Sequence, residues 1–221
     1  MQLSDTLRPI ALTVLMGLAN ILDAHSAHAK SPEMLTVAGG CFWCVESDFE
    51  GVPGVIEAVS GYTGGKSKDP TYKEVTKGGS GHYEAVQITY DSDQISRETL
   101  LSLFLRSVDP TDAGGQFCDR GESYRTAVFV SNKEEKEIAT HVIAQAQKDL
   151  GQSIVTPVLS IGPFYEAEDY HQDYYKGTNL VFTRFGPKRQ AAAYKRYRQA
   201  CGRDKRVREL WGDAAPFAKG Y

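Results

Sequence analysis

The sequence lacks an uncharged apolar run long enough to cross a bilayer, a basic excess and an internal repeat, and it has only four cysteines in 221 residues. A membrane-spanning helix needs about 20 apolar residues. The uncharged stretch after Arg8, PIALTVLMGLANIL, has 14. Lysine and arginine total 25 against 28 acidic residues, a formal net charge of -3, so nothing suggests a nucleic-acid partner. Neither Cys118 nor Cys201 has a second cysteine or histidine close by in sequence. That weakens a zinc-binding reading, because such sites usually pair their ligands at short spacing.

The remainder is ordinary for a soluble globular domain, with 41% hydrophobic and 24% charged residues. Ala27-His28-Ala29 supplies the small-x-small pattern of a signal-peptidase site. Residues 1–29 are therefore expected to be a cleaved signal peptide, against the alternatives of an uncleaved anchor or a first helix of the fold. The mature chain is expected outside the cytoplasm, in a periplasm, free of the membrane. Residues 30–199 should form one domain, followed by a charged, Gly-bearing, flexible tail over 200–221. All four cysteines (Cys41, Cys44, Cys118, Cys201) lie in the mature part. In an exported chain they could be two structural disulfides, but a domain of this length does not need them.

Periodicity predicts an α+β domain, a mixed sheet flanked by helices and joined by long loops. MLTVAGG reads as a buried strand, and CFWCVESDFEG as a short helix stopped at Pro53-Gly54. VIEAVSGYTGG and HYEAVQITYD read as strands, the latter with Glu84, Val86, Ile88 and Tyr90 on one face. SRETLLSLFLRSV is an amphipathic helix ended by Asp109-Pro110. SYRTAVFVS is a further strand, and Asn132 with Glu135 fits a capping box for the next helix. That helix should bury Ile138, Val142, Ala146 and Leu150. IVTPVLSIG is expected at a sheet edge because Pro157 interrupts it.

Cys41 stands where a strand and a Gly-Gly turn enter a helix. Unpaired N–H groups and the positive helix end there are expected to favour a thiolate nucleophile. Phe42 and Trp43 beside it offer an apolar wall for a methyl or thioether group. Around these residues the sequence strongly resembles the peptide methionine sulfoxide reductase A family. The likeness runs through Gly40-Cys41-Phe42-Trp43, Glu46, Pro53-Gly54-Val55, GYTGG at 61–65, PTYKEV at 70–75 and GHYEAV at 81–86. It continues in DPT at 109–111, DRGESYRT at 119–126 and FYEAEDYHQDYY at 164–175. It spans about residues 35 to 185 in order.

The resemblance implies a two-layer α/β sandwich and a reductase acting on the S epimer of methionine sulfoxide, in proteins and as the free amino acid, for repair of oxidised proteins. By resemblance Cys41 is the nucleophile and Glu84 the proton donor. The carboxyl must then stay protonated near neutral pH, as an apolar pocket would ensure. Tyr72 and Tyr124 would bind the sulfoxide oxygen through neutral phenols. Phe42 and Trp43 would hold the methyl group, and Asp119 would act on the substrate side. His82 and His171 fall in matching motifs with structural roles expected. Attack leaves Cys41 as a sulfenic acid that a second thiol condenses with. Cys201 matches the family's resolving cysteine in a flexible tail, Cys44 is the alternative, and Cys118, where the family pattern has none, is a third thiol near the pocket. No organic cofactor or metal is implied. A thioredoxin-like protein would reduce the resulting disulfide, and the protein is expected to act as a monomer. The rival reading is a C-x-x-C thiol-disulfide oxidoreductase, which leaves Glu84, Tyr72 and Tyr124 without a purpose.

Overall fold

The computed structural model describes residues 31–183 and 186–218. The expected signal segment lies outside them. Strand β1 (Glu33–Gly39) leads into helix α1 (Phe42–Phe49), followed by β2 (Val55–Thr63), α2 (Tyr72–Lys77), β3 (Tyr83–Tyr90) and α3 (Arg97–Leu105). A small hairpin, β4 (Gly115–Gln116) with β5 (Asp119–Arg120), precedes β6 (Thr126–Val130) and α4 (Lys133–Leu150). The chain then forms β7 (Val158–Ser160), β8 (Tyr165–Glu166), a hairpin of β9 (Leu180–Thr183) and β10 (Gly186–Arg189), and helices α5 (Gln190–Ala200) and α6 (Arg203–Trp211).

Six strands make one sheet in the order β7-β6-β1-β3-β2-β8. Only the β6–β7 pair is parallel, so the sheet is mixed, as the alternation of strands and helices predicts. β7 lies at an edge, starting just after Pro157, as a residue without an amide donor requires. The period-two pattern divides the two faces. Leu35, Val37, Val86, Ile88 and Tyr90 join Val45, Phe49, Leu101, Phe104 and Val142 in the main core under the helices. Ala38, Ala85, Ala127 and Phe129 point the other way into a smaller cluster. Glu84 continues the inward row of β3 and is almost wholly buried.

The helix ends follow their capping residues. The Asn132 side chain accepts from the Glu135 amide, while the Glu135 carboxylate reaches the Ser131 amide instead of closing a box on Asn132. α4 buries Ala139, Val142 and Ala146, with Ile138 and Leu150 half-buried at the margins, a small rotation of the expected face. A complete box, Thr71 with Glu74, starts α2, a short helix the sequence pattern did not suggest.

The clearest departure from expectation is the C-terminal segment. Where the sequence predicts a flexible tail from residue 200, α6 packs Arg203, Val207 and Trp211 into the body. The charge that made this stretch look solvated is spent inward. Arg198 bonds Asp48 of α1 at 2.7 Å and Asp204 at 2.7 Å, all three nearly buried. Among the described residues no helix is long and apolar enough to cross a membrane.

Gly39 and Gly40 bring β1 into α1. A Cβ on Gly39 would lie 2.8 Å from Val45, 3.0 Å from Val108 and 3.1 Å from Phe104. Gly40 has φ +79° and would meet Gln116 Cβ at 2.5 Å. Gly39→Ala should therefore overpack the core and cost about 1–3 kcal/mol. The expected readout is a lower urea midpoint at unchanged m-value. An unchanged midpoint would show that the turn has slack.

Candidate active site

The Gly-Gly turn sets Cys41 as the N-cap of α1, 6% exposed. The first free amide of the helix, that of Phe42, donates to a Glu84 carboxyl oxygen at 3.1 Å. The helix end thus serves the acid on β3, and the Cys41 side chain itself makes no capping bond. This corrects the expected electrostatics of the nucleophile. Burial pushes the Cys41 thiol well above its ordinary value, helped by its contact with Cys44 and by the Glu84 and Asp119 charges. Cys44, one helical turn on, is pulled the other way, first by its hydrogen bond with Cys41 and then by the Arg203 and Arg198 cations.

Glu84 is pushed up to about 8, chiefly by burial and further by the Asp119 charge, while the Phe42 amide and the Tyr124 phenol oppose the shift. It is therefore a neutral acid near pH 7. Tyr124, in the short 3₁₀ turn after β5, interacts with both Glu84 and Tyr72. Burial raises both phenols above their ordinary value, so they remain neutral donors. Glu168 places Tyr72, accepting from its amide at 3.0 Å and from the Tyr62 hydroxyl at 2.9 Å.

The Trp43 ring stacks on Tyr174 with centroids 3.8 Å apart and planes at 7°. Its indole N–H donates to His171 Nδ1 at 3.2 Å. That bond requires a neutral imidazole, and burial pulls His171 down to about 4. Glu46 secures the segment carrying these rings by accepting from the Ser60 hydroxyl and the Asp173 amide, and burial raises it to about 7.

Cys41, Phe42, Trp43, Tyr72, Glu84, Asp119 and Tyr124 all line one cavity of about 50 Å³. The eighth lining residue, Tyr197 of α5, was not anticipated. Its hydroxyl donates to Asp119 and its ring meets Trp43 edge-on at 6.2 Å. Tyr174 and Glu168 were likewise unassigned, although both lie within the FYEAEDYHQDYY stretch. Tyr197 is one helical turn before Cys201, a spacing that could have drawn notice. His82 plays the expected structural part, accepting from the Gly65 amide at 3.2 Å. A larger hollow of about 600 Å³ beside Glu33, Arg97 and Glu135 has no cysteine, histidine or tyrosine in its lining.

Two of the four thiols are paired in the structure. Cys118 and Cys201 form a disulfide, while Cys41 and Cys44 are free and buried. Among the described residues, the one group with the spacing of metal ligands, Cys118, Asp119 and Cys201, therefore has both sulfurs bonded to each other.

A family profile described as peptide methionine sulfoxide reductase matches residues 33–214. The chain is 47% identical over 189 residues to peptide methionine sulfoxide reductase MsrA 2 of Rhizobium meliloti, covering 86% of this chain and 88% of that one. It is 45% identical over 190 residues to the MsrA of Bacillus subtilis, covering 83% and 98%. Among solved structures it resembles reduced Mxr1 of Saccharomyces cerevisiae, with TM-score 0.64, 29% identity and coverage of 66% and 85%. It also resembles methionine sulfoxide reductase A of Corynebacterium diphtheriae, with TM-score 0.60, 30% identity and coverage of 66% and 74%.

Because its folded value is raised, Glu84 stabilises the fold fully only below the unfolded value of about 4.3. That contribution is lost as pH rises through about 8. Glu84→Gln, which cannot ionise, should gain stability relative to wild type as pH increases from 5 to 8. Urea unfolding across that range checks it, and a constant difference would refute a buried neutral acid.

Proposed function

Because the chain belongs to the peptide methionine sulfoxide reductase family, we propose a residue-level account of how it reduces methionine sulfoxide. The observation that carries this account is the convergence of Cys41, Glu84, two neutral phenols and an aromatic wall on one small cavity. The substrate methyl group rests against Phe42 and Trp43, and the sulfoxide oxygen meets Tyr72, Tyr124 and Glu84. Cys41 Sγ attacks the sulfoxide sulfur while Glu84 gives its proton to the oxygen and takes up the proton the thiol releases. The oxygen then passes to Cys41, leaving a sulfenic acid and a thioether. Thiol and sulfoxide become sulfenic acid and sulfide, so atoms and electrons balance.

The electrostatics support this order. At neutral pH Glu84 is uncharged and burial favours the neutral Cys41 thiol, so a neutral substrate enters without meeting a buried negative charge at either group. Charge grows only as the sulfur–sulfur bond forms, and the preset donors stabilise it there. Asp119 is less acidic than usual because of burial. It holds Tyr197 across the mouth and bears on the substrate side. The sulfenic acid then condenses with a second thiol, and an external dithiol protein of the thioredoxin type restores the enzyme. The substrates are the S epimer in proteins and as free methionine sulfoxide, and the enzyme acts as a monomer in protein repair.

Prereduced protein, freed of reductant and given resolved epimers, should convert the S sulfoxide to methionine and leave the R epimer. Cys41→Ser should form none, and equal yields from this variant and wild type would overturn the mechanism. Glu84→Gln should slow the step about 10²–10⁴-fold. The Tyr72→Phe/Tyr124→Phe pair should slow it about 10²–10³-fold.

We further propose that residues 1–29 direct export to a periplasm, supported by the apolar stretch and Ala27-His28-Ala29 alone. N-terminal sequencing of protein from the periplasmic fraction should begin at Lys30. Recovery only in the cytoplasm with residue 1 or 2 first would exclude it.

A further inference from the structure

Behind the Cys41 cavity, and outside its lining, the short 3₁₀ turn Asp169–His171 starts from Glu168 and ends on His171. The His171 ring packs against the rings of Tyr72, Phe42 and Trp43, with centroids 4.4, 5.1 and 5.5 Å away. It therefore backs both the phenol assigned to the sulfoxide oxygen and the wall assigned to the methyl group. Its Nδ1 accepts from the Trp43 indole, so the ring proton sits on Nε2. That Nε2 is buried and has no hydrogen-bond partner. An unsatisfied buried donor is costly, and the Glu168 carboxylate faces this one from 3.9 Å.

Glu168 is itself fixed at both oxygens. Oε1 accepts from the Tyr72 amide at 3.0 Å and Oε2 from the Tyr62 hydroxyl at 2.9 Å. Burial alone would raise the carboxyl, but these bonds and its own amide hold it below its ordinary value, so it is charged near pH 7. At 3.9 Å the contact with His171 is too long for a hydrogen bond. The charge nevertheless attracts a proton on the nitrogen that faces it, and so selects the tautomer protonated there. Nδ1 is then left as an acceptor, which the Trp43 N–H requires. The opposite tautomer would set two N–H groups against each other and release the indole.

Resting on the cavity assignments above, we propose that Glu168 is a positioning residue that sets both halves of the sulfoxide pocket at once: Tyr72 through its amide, and Trp43 through the tautomer of His171. The oxygen and the methyl group of the substrate are borne by the same sulfur, so phenol and indole must keep one fixed separation. A misplacement of about 1 Å in such an arrangement can slow a reaction about 100-fold. One carboxylate shared by the two supports keeps them in step, because a shift of Glu168 moves both. Tyr62 supplies the reference point. It is fully buried on β2 and is the cross-strand partner of Glu84 on β3. Its bond to Glu168 therefore refers both halves of the pocket to the strand pair that bears the acid.

The test compares wild type with Glu168→Gln, which keeps the shape without the charge, and with His171→Phe. Imidazole nitrogen NMR spectra of the resting protein, with His171 assigned by its loss from His171→Phe, should show Nε2–H in wild type. In Glu168→Gln they should shift toward Nδ1–H, and the Trp43 indole N–H signal should move in both variants. In a reductant-free first turnover, Glu168→Gln should raise the half-saturating sulfoxide concentration and lower the saturated rate, together by about 10–100-fold. Combined with His171→Phe, it should cost less than the product of the two separate losses. Urea midpoints measured alongside separate this from lost folded protein, which would reduce the yield of methionine without moving the tautomer. Glu168→Gln showing the wild-type tautomer and indole signal, or the wild-type first-turnover rate, would overturn the proposal. Equal methionine formation by Cys41→Ser and wild type would instead sink the cavity assignments beneath it, and would leave the tautomer readings as they are.

Discussion

The hydrogen bond from the Phe42 amide to Glu84 joins the end of α1 to the middle of the sheet, and the site is arranged around it. It fixes Glu84 beside Cys41, although the bonded residues Phe42 and Glu84 lie on different elements 42 positions apart. It also uses the helix amide that would otherwise act on the Cys41 sulfur. The consequence is a cavity whose chemistry starts from neutral groups rather than a standing thiolate. Gly39 and Gly40 make the bond reachable, because a side chain at Gly39 would press on Val45 of α1 and one at Gly40 on Gln116 of β4.

A second layer of constraint comes from the C-terminal helices. Asp48 on α1 anchors Arg198 of α5, and Asp204 of α6 closes on the same guanidinium. Buried ion pairs gain little net stability over apolar packing, but breaking one by removing a partner is costly. Their use here is positional: they seat Tyr197 over the Cys41 cavity and Cys201 against Cys118. The Arg203 guanidinium packs over the Phe117 ring at 4.9 Å, tying α6 to the loop that presents Cys118 and Asp119.

Most of the sheet was legible because β1, β2, β3 and β6 alternate between two unlike environments, and alternation survives in sequence. Cys41, Phe42 and Trp43 stood out as residues, but Tyr72, Glu84, Asp119 and Tyr124 were legible as one site only through resemblance. No periodicity indicates that Tyr72 and Tyr124, 52 positions apart, share a pocket with Glu84. Two readings went astray for a common reason. The Cys41 thiolate and the flexible tail were judged from local sequence, where charge suggests solvent and a helix end suggests a lowered thiol. Tertiary contacts decided otherwise, through a carboxyl arriving from β3 and an aspartate arriving from α1. Tyr197 escaped notice because it sits in AAAYKRYRQA, which reads as a solvated helix until its position over Trp43 is known.

The Trp43–His171 bond has a bearing on the conditions under which the enzyme can work. Histidine is the side chain whose ordinary titration falls in the range that acidifying surroundings traverse. Here burial holds it at about 4, with Nδ1 committed to the indole N–H. The wall of Phe42 and Trp43, proposed to hold the substrate methyl group, therefore keeps its shape while its environment turns mildly acidic, and Glu84 becomes more completely protonated over the same interval. On the proposed mechanism an oxidised methionine meets the same surface in sour and neutral settings, which amounts to an acid-tolerant receptor built from a residue more often used to sense acid.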